Sequence, residues 1–389
     1  MAVAFLDLAD PAFSTRSEAV REARAAHWCA RTPFGLAVLR HREAGLLLRD
    51  RRLRQGSHAW PRLTGLEGPF AEFWMASVIA KEGPEHKALR ARVQVALHPD
   101  HIAALIPDFE RIAGDLLDRG GRVIEFMSTF AIPFAGRAIC ALLGLPESAW
   151  RRVAQDAATL GLAMGVDAKR HEAAVNAATE RLYDLARDLV ARRGAFVRRL
   201  DEGGEIAEDA LLNLIVMSIF GGVDTTRSQL GHGMVLFAEH PSQWQALRAD
   251  PALIPRAVEE MIRAFPTTTW STREAVERFE FAGETIEAGQ TIHILVHATA
   301  MDPAVTLPQS FDITAPRRTH FGFGGGAHHC LGSQVARTDM AAALRVMAER
   351  VERISLAGTP VFLPDSGNTS PEHLPVCLET VACVGRRSL

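Results

Sequence analysis

The residues best equipped for chemistry form one run, Phe323-Gly324-Gly325-Gly326-Ala327-His328-His329-Cys330-Leu331-Gly332. Glycines at that density let a backbone adopt positive φ and approach a flat or bulky ligand. Beyond the run, Ala336, Met340, Leu344, Met347 and Val351 recur at helical spacing, which predicts a helix from about Ser333. The free N–H groups and positive end of that helix are expected to lower the Cys330 thiol pKa and hold its thiolate, which suits an axial metal ligand. Two other chemistries compete. A phosphate cradle would want a Walker lysine and a clean preceding strand, and the sequence offers neither. A zinc site of His328, His329 and Cys330 would need contiguous side chains to converge, with no second ligand pair at zinc spacing. His293 and His297 are read as sharing one face of a strand, as packing or surface histidines.

A second cluster, Gly221-Gly222-Val223-Asp224-Thr225-Thr226, lies where the apolar run Leu211 to Val223 ends. A mid-helix glycine costs about 1 kcal/mol relative to alanine, so two of them call for a reason. Their missing side chains would open room against a large ligand, and an acid and a hydroxyl beside that gap can hold water and relay protons. Glu260 and Arg263, three apart, share a helix face and can pair. In Gly83-Pro84-Glu85-His86-Lys87-Ala88-Leu89-Arg90, His86 and Arg90 sit one turn apart as a two-donor fork for a carboxylate.

Together these runs resemble the cytochrome P450 superfamily, whose haem-binding loop has the pattern F-G-G-G-x-H-x-C-L-G. The resemblance implies that Cys330 is the proximal thiolate on haem iron, with Phe323 packed beside it. It puts His328 on a haem propionate and lets the next helix pass close to the porphyrin at Gly332. It makes Gly221 part of the oxygen-binding motif, Asp224 the acid feeding the proton pathway and Thr225 the alcohol working with it. His86, Arg90 and Arg273 match further propionate donors. Glu260-Met261-Ile262-Arg263 is similar to the family's E-x-x-R helix, a buried fold determinant rather than a catalyst. Two departures stand out: Ala315 where many relatives carry arginine, with Arg317 as its replacement, and Ala300-Met301-Asp302 for the usual Asn-Arg-Asp.

The elements that must hold these residues read as mostly helical. Residues 100 to 265 form a succession of Ala-, Leu- and Arg-rich helices, among them 172–193 and 211–239, and Pro255 and Pro266 bracket another. After Pro266, Phe279-Glu280-Phe281, Thr285-Ile286 and Thr291 to Val296 read as short strands, before an irregular stretch from Asp302 to Arg318. The expected fold is mainly α with a minor β region, the cytochrome P450 fold as a single compact haem domain over residues 1–389. Its helix-rich part covers about 80–265 and 320–352, and its β-rich part about 266–300 and 353–389.

Composition narrows the function. Apolar residues at 48% and charged residues at 23% are an ordinary globular balance. A net charge of -3 excludes polyanion binding through bulk charge, so no nucleic-acid partner is expected. No stretch is read as crossing a bilayer, since Leu211 to Val223 falls short of the roughly 20 residues required, and the N-terminus has no basic leader. The five cysteines, Cys29, Cys140, Cys330, Cys377 and Cys383, are scattered in a way that suits a reducing cytosol.

The resemblance implies a cytoplasmic haem-thiolate monooxygenase that uses heme b (iron protoporphyrin IX) and dioxygen to hydroxylate or otherwise oxidise a small organic substrate of secondary metabolism or catabolism. Electrons would come from a separate ferredoxin or flavodoxin with its reductase. The intact Asp224-Thr225 pair favours dioxygen over direct use of peroxide. The alternatives are a non-hydroxylating oxidation such as aromatic coupling, or a haem-binding sensor, which would have no need of a proton relay. Arg92, Arg317, Arg318 and Arg337 are expected to form a basic face for the electron donor. The substrate pocket is expected to draw on residues 60–80, the helices around 155–190, Met217 to Val223 and the strand after Pro266, with Thr267, Thr268, Thr269 and Trp270 adding polarity.

Overall fold

A 32-residue helix, Glu208–Glu239, runs through the middle of the protein. Glu208 and Asp209 favour its positive end, and Pro241 stops it by forcing His240 out of helical geometry. The helix is apolar on nearly all sides, which is stable only if it is surrounded. Its first half, through Val223, enters one hydrophobic core with Phe70, Phe73 and Ile139. Its second half, from Leu230 to Phe237, enters another with Phe126, Phe130 and Phe134. The polar step Asp224-Thr225-Thr226 therefore lies between two cores.

This helix corrects one expectation. By length and composition it is apolar enough to cross a membrane, although 61% of its most apolar window is buried inside the protein. The apolar run Leu211 to Val223 is continued farther along the same helix by the Gly231 to Phe237 segment.

The computed structural model describes residues 3–380, apart from 166, 203, 205, 306–309, 317–318 and 366. Arg317, Arg318 and Cys383 thus lie outside the described residues. The helices Ile132–Leu143, Trp150–Gly161 and Glu172–Arg192 pack on the central helix from one side. Ile254–Ala264 and Ser333–Arg350 pack on each other and on it from another.

The strands lie where their short lengths made them hard to read. A five-stranded sheet has the order Cys29–Thr32, Gly35–Val38, Thr291–Leu295, Trp270–Ala275, Leu53–Gln55. Three of these strands come from the first 55 residues, so the β-rich part is not confined to the C-terminal third. Val123–Glu125, inside the helix-rich part, joins Pro375–Thr380 and Val351–Leu356 in a second sheet. The strand Thr291–Leu295 ends before His297, which sits in the short helix Val296–Ala300. His293 and His297 therefore do not share a strand face. His293 is buried and packs edge-on to Trp270, and His297 is partly buried with its Nδ1 shielded from solvent.

Glu260 and Arg263 are buried together. Arg263 donates to both carboxylate oxygens of Glu260, at 2.7 and 2.6 Å, and to the Ser310 carbonyl at 3.1 Å. Asp312 N–H donates to Glu260 Oε1 at 2.9 Å. The pair thereby ties the helix to the irregular stretch leading into the glycine run.

Candidate active site

The glycine run approaches the central helix through a loop whose glycines do two different jobs. Gly324 and Gly326 both have φ of +68°, and a side chain at Gly326 would collide with the Leu48 carbonyl. These two shape the loop and seat it on the Leu48 backbone. A Cβ at Gly332 would meet nothing within 4 Å, and the same holds at Gly221 on the central helix. Gly222 differs: its Cβ would lie 2.8 Å from Ile139 Cδ1. Only one of the paired glycines leaves open ground, and the other is required by helix packing.

Cys330 closes the loop through its N–H, which donates to the Phe323 carbonyl at 2.9 Å. The residue is exposed, yet desolvation by the surrounding protein pushes its thiol up. The N–H groups of Gly332 and Ser333 and the Arg90 and Arg337 cations pull the other way but do not prevail. The expected lowering of the free thiol's pKa is thus corrected: the predicted donors are there, and desolvation outweighs them. A cationic metal at the sulfur would supply what they lack.

Four nitrogen donors gather beside the loop. His86 and Arg90 stand on the helix Gly83–Ala96. Arg273 comes from the strand Trp270–Ala275, where it pairs in register with Gln55. His86 stacks on His328 with ring centroids 4.0 Å apart. His86 Nε2 is buried and has no hydrogen-bond partner. Arg90 donates to the His329 carbonyl at 2.8 Å, and Arg273 to the Gly325 carbonyl at 3.0 Å. Burial pushes Arg273 down to about 10 and His328 down to about 4. His328 Nε2 is already engaged by Glu82 Oε1 at 3.0 Å, a partner that the sequence reading missed.

On the central helix, Thr225 Oγ1 donates to the Gly221 carbonyl at 2.6 Å. Asp224 is buried and paired with Arg227, whose Nε donates to Asp224 Oδ1 at 3.1 Å. The carboxylate also borders Gly161, the last residue of its helix, where a Cβ would lie 3.1 Å from Asp224 Oδ1. Arg227 was legible at i+3 from Asp224, whereas Gly161 carried no sequence signal. Asp339, also missed, is buried with Oδ1 unpartnered and lies 3.4 Å from the Thr226 hydroxyl; burial pushes its carboxyl well above the usual range.

Two further expectations change. Thr267 and Thr269 do not offer free hydroxyls to a pocket: Thr267 bonds Gln229 and Thr269 donates to the Gly367 carbonyl at 2.9 Å. Arg337 is not a free docking cation, since it pairs with Glu259 and lies over the Phe323 ring. Arg92 donates to the Leu200 and Gly204 carbonyls. A groove of about 680 Å³ lies in the 54–75 region, lined by Arg54, His58, Pro61, Arg62, Leu66 and Met75 among others.

The donor set fits a haem. Cys330 offers a sulfur, His86 Nε2 is buried without a partner beside two arginines able to bind carboxylates, and a Cβ at Gly332 or Gly221 would meet nothing within 4 Å.

Comparison with known proteins agrees. The family model described as Cytochrome P450 matches residues 122–352. The chain is 32% identical to luteothin monooxygenase of Streptomyces thioluteus, over 96% of this chain and 95% of that one. It is 29% identical to 6-deoxyerythronolide B hydroxylase of Saccharopolyspora erythraea, over 82% of each. Among solved structures it is similar to P450BioI in complex with a hexadec-9Z-enoic acid ligated acyl carrier protein, with a TM-score of 0.86 and 26% identity over 92% of this chain and 97% of that one.

Proposed function

The chain belongs to the cytochrome P450 family, and from that premise we propose how its own residues serve a haem monooxygenase acting on small molecules with dioxygen. Cys330 is the iron ligand, the cofactor is heme b, and His86, Arg90, Arg273 and His328 hold its propionates. Gly332, Gly221 and Phe323 border the ring. The haem, when bound, supplies dioxygen activation driven by electron donation from the thiolate.

The remaining work is done by this chain. Thr225 donates its hydroxyl hydrogen bond to the Gly221 carbonyl, which leaves the hydroxyl oxygen able to accept a hydrogen bond on its open side. Asp224 stays fixed by Arg227 and acts as the acid that delivers protons toward Thr225. The two apolar cores flank this step, whose open side is at Gly221 and Thr225. Electrons come from a ferredoxin or flavodoxin with its reductase, and the protein works in the cytoplasm. The expected donor-docking face is narrowed, because Arg337 is already paired.

The observation that carries this reading is the buried, unpartnered Nε2 of His86, one turn from Arg90 and stacked on the histidine two residues before Cys330. The experiment is the ferrous carbonyl spectrum of the purified protein. Sulfur-ligated haem gives a strongly displaced absorption, and Cys330→Ser should abolish it. A wild-type protein lacking that absorption defeats the assignment. Soret shifts then screen substrates, beginning with luteothin and 6-deoxyerythronolide B, for which two relatives are named. Thr225→Ala should lower product formed per electron pair by about an order of magnitude, the scale of a lost proton-transfer group.

A further inference from the structure

A cradle for two carboxylates should be cationic throughout, yet this one contains a carboxylate of its own. Glu82 immediately precedes the helix that carries His86 and Arg90. Its Oε1 lies 3.0 Å from His328 Nε2 and accepts the Gln55 N–H at 2.6 Å, so two donors fix its position. Gln55 is the residue paired in register with Arg273. Glu82 also sits close enough to His86, His328 and Arg273 to favour the protonated form of each. Its side chain is 43% exposed, so water and salt screen it without removing it.

We propose that Glu82 is an electrostatic counterweight in this cradle, a carboxylate placed against the donors that would hold the haem propionates. Its charge loosens haem and stabilises the ferric iron relative to the ferrous. The proposal rests on the functional reading above, in which those donors serve propionates. Like charges sharing donors compete, and a negative charge near iron opposes one-electron reduction.

The test uses the haem-loaded protein, Glu82→Gln and Glu85→Gln. Gln at 82 keeps the shape and a hydrogen-bonding oxygen while removing the charge. Glu85 is an exposed residue on the same helix, paired with Lys81 at 3.0 Å, and controls for charge alone. Two quantities are measured: the rate of haem transfer to excess apomyoglobin and the ferric/ferrous midpoint potential. Glu82→Gln is expected to slow haem loss about fivefold, the upper range for a partly exposed charge pair, and to move the potential upward. Glu85→Gln is expected to change neither. If Glu82→Gln matches wild type in both, or Glu85→Gln moves them equally, the proposal falls. Glu82→Ala should act in the same direction as Glu82→Gln, and the opposite direction would also overturn it. A wild-type protein that takes up no haem would instead overturn the functional reading beneath it.

Discussion

Asp224 and Arg227 form an ion pair within one turn of a single helix, both side chains largely shielded from solvent. The acid's counter-ion therefore travels with it, whatever the neighbouring helix that ends at Gly161 does. The two groups are also mutually dependent, because neither is well solvated alone.

Removing Arg227 should accordingly cost stability as well as chemistry. Truncating one partner of a buried pair typically costs about 3 to 5 kcal/mol, because the other charge is left uncompensated. Some exposure of Arg227 reduces this, so Arg227→Ala is expected to lose about 2 to 3 kcal/mol in urea unfolding. Arg227→Ala,Asp224→Asn should recover much of that loss. Equal loss in the double variant would show that the pair is not what stabilises this turn.

The paired glycines should behave differently from each other. At Gly221 an alanine methyl meets nothing, so Gly221→Ala should gain about 0.5 to 1 kcal/mol of helix stability in the haem-free protein. The same methyl stands on the open ground proposed for haem and should weaken haem binding. At Gly222 the propensity gain is set against displacing the Ile139 tip, and the net effect on stability should be near zero. Haem titrations beside denaturant curves of both variants separate these effects, and identical behaviour would reject the distinction.

What could be read from the sequence is what lies close together along it. The loop from Phe323 to Gly332, the pair Glu260 and Arg263, and the step Asp224-Thr225 are contiguous or one turn apart, so spacing alone places them. The partners of His328 are 246 and 242 residues away, and no local pattern reports them. The N-terminal strands failed for a similar reason. Leu53–Gln55 has only three residues and owes its extended form to pairing with Arg273 to Ala275. His297 lies off the strand because the paired register ends at Leu295 opposite Trp270, and Val296, though β-branched and still donating to the Thr269 carbonyl at 3.0 Å, opens a short helix.

Glu260 and Arg263 should behave as determinants of folding rather than of chemistry. Glu260→Ala leaves the Arg263 guanidinium, 1% exposed, without its carboxylate. A loss of about 3 to 5 kcal/mol is expected, enough to consume much of the stability of a typical domain. Glu260→Gln keeps the acceptor for Asp312 N–H and should lose less. The check is the yield of folded, haem-loaded protein together with its unfolding midpoint; full stability in Glu260→Ala would contradict a buried structural pair.

Acid should unfold this protein through three histidines shielded from solvent, His232, His293 and His297. Burial pushes His232 to about 3, His293 to about 4 and His297 to about 3, so all three stay neutral in the folded chain. In the unfolded chain they take up protons near the ordinary value of about 6.5. Their folded pKa values are depressed, so between about 6.5 and 4 only the unfolded state gains protons, and stability falls with pH. The loss is about 1.4 kcal/mol per pH unit for each histidine, which makes unfolding near pH 4 to 5 the expected outcome for a domain of ordinary stability. His232 is stacked on Phe265 at 3.8 Å with both ring nitrogens unpartnered, so His232→Phe keeps the stack and removes one titrating group. Circular dichroism across an acid titration should show its unfolding midpoint displaced to lower pH and its transition less steep. A midpoint that stays with wild type would mean that other groups govern acid unfolding.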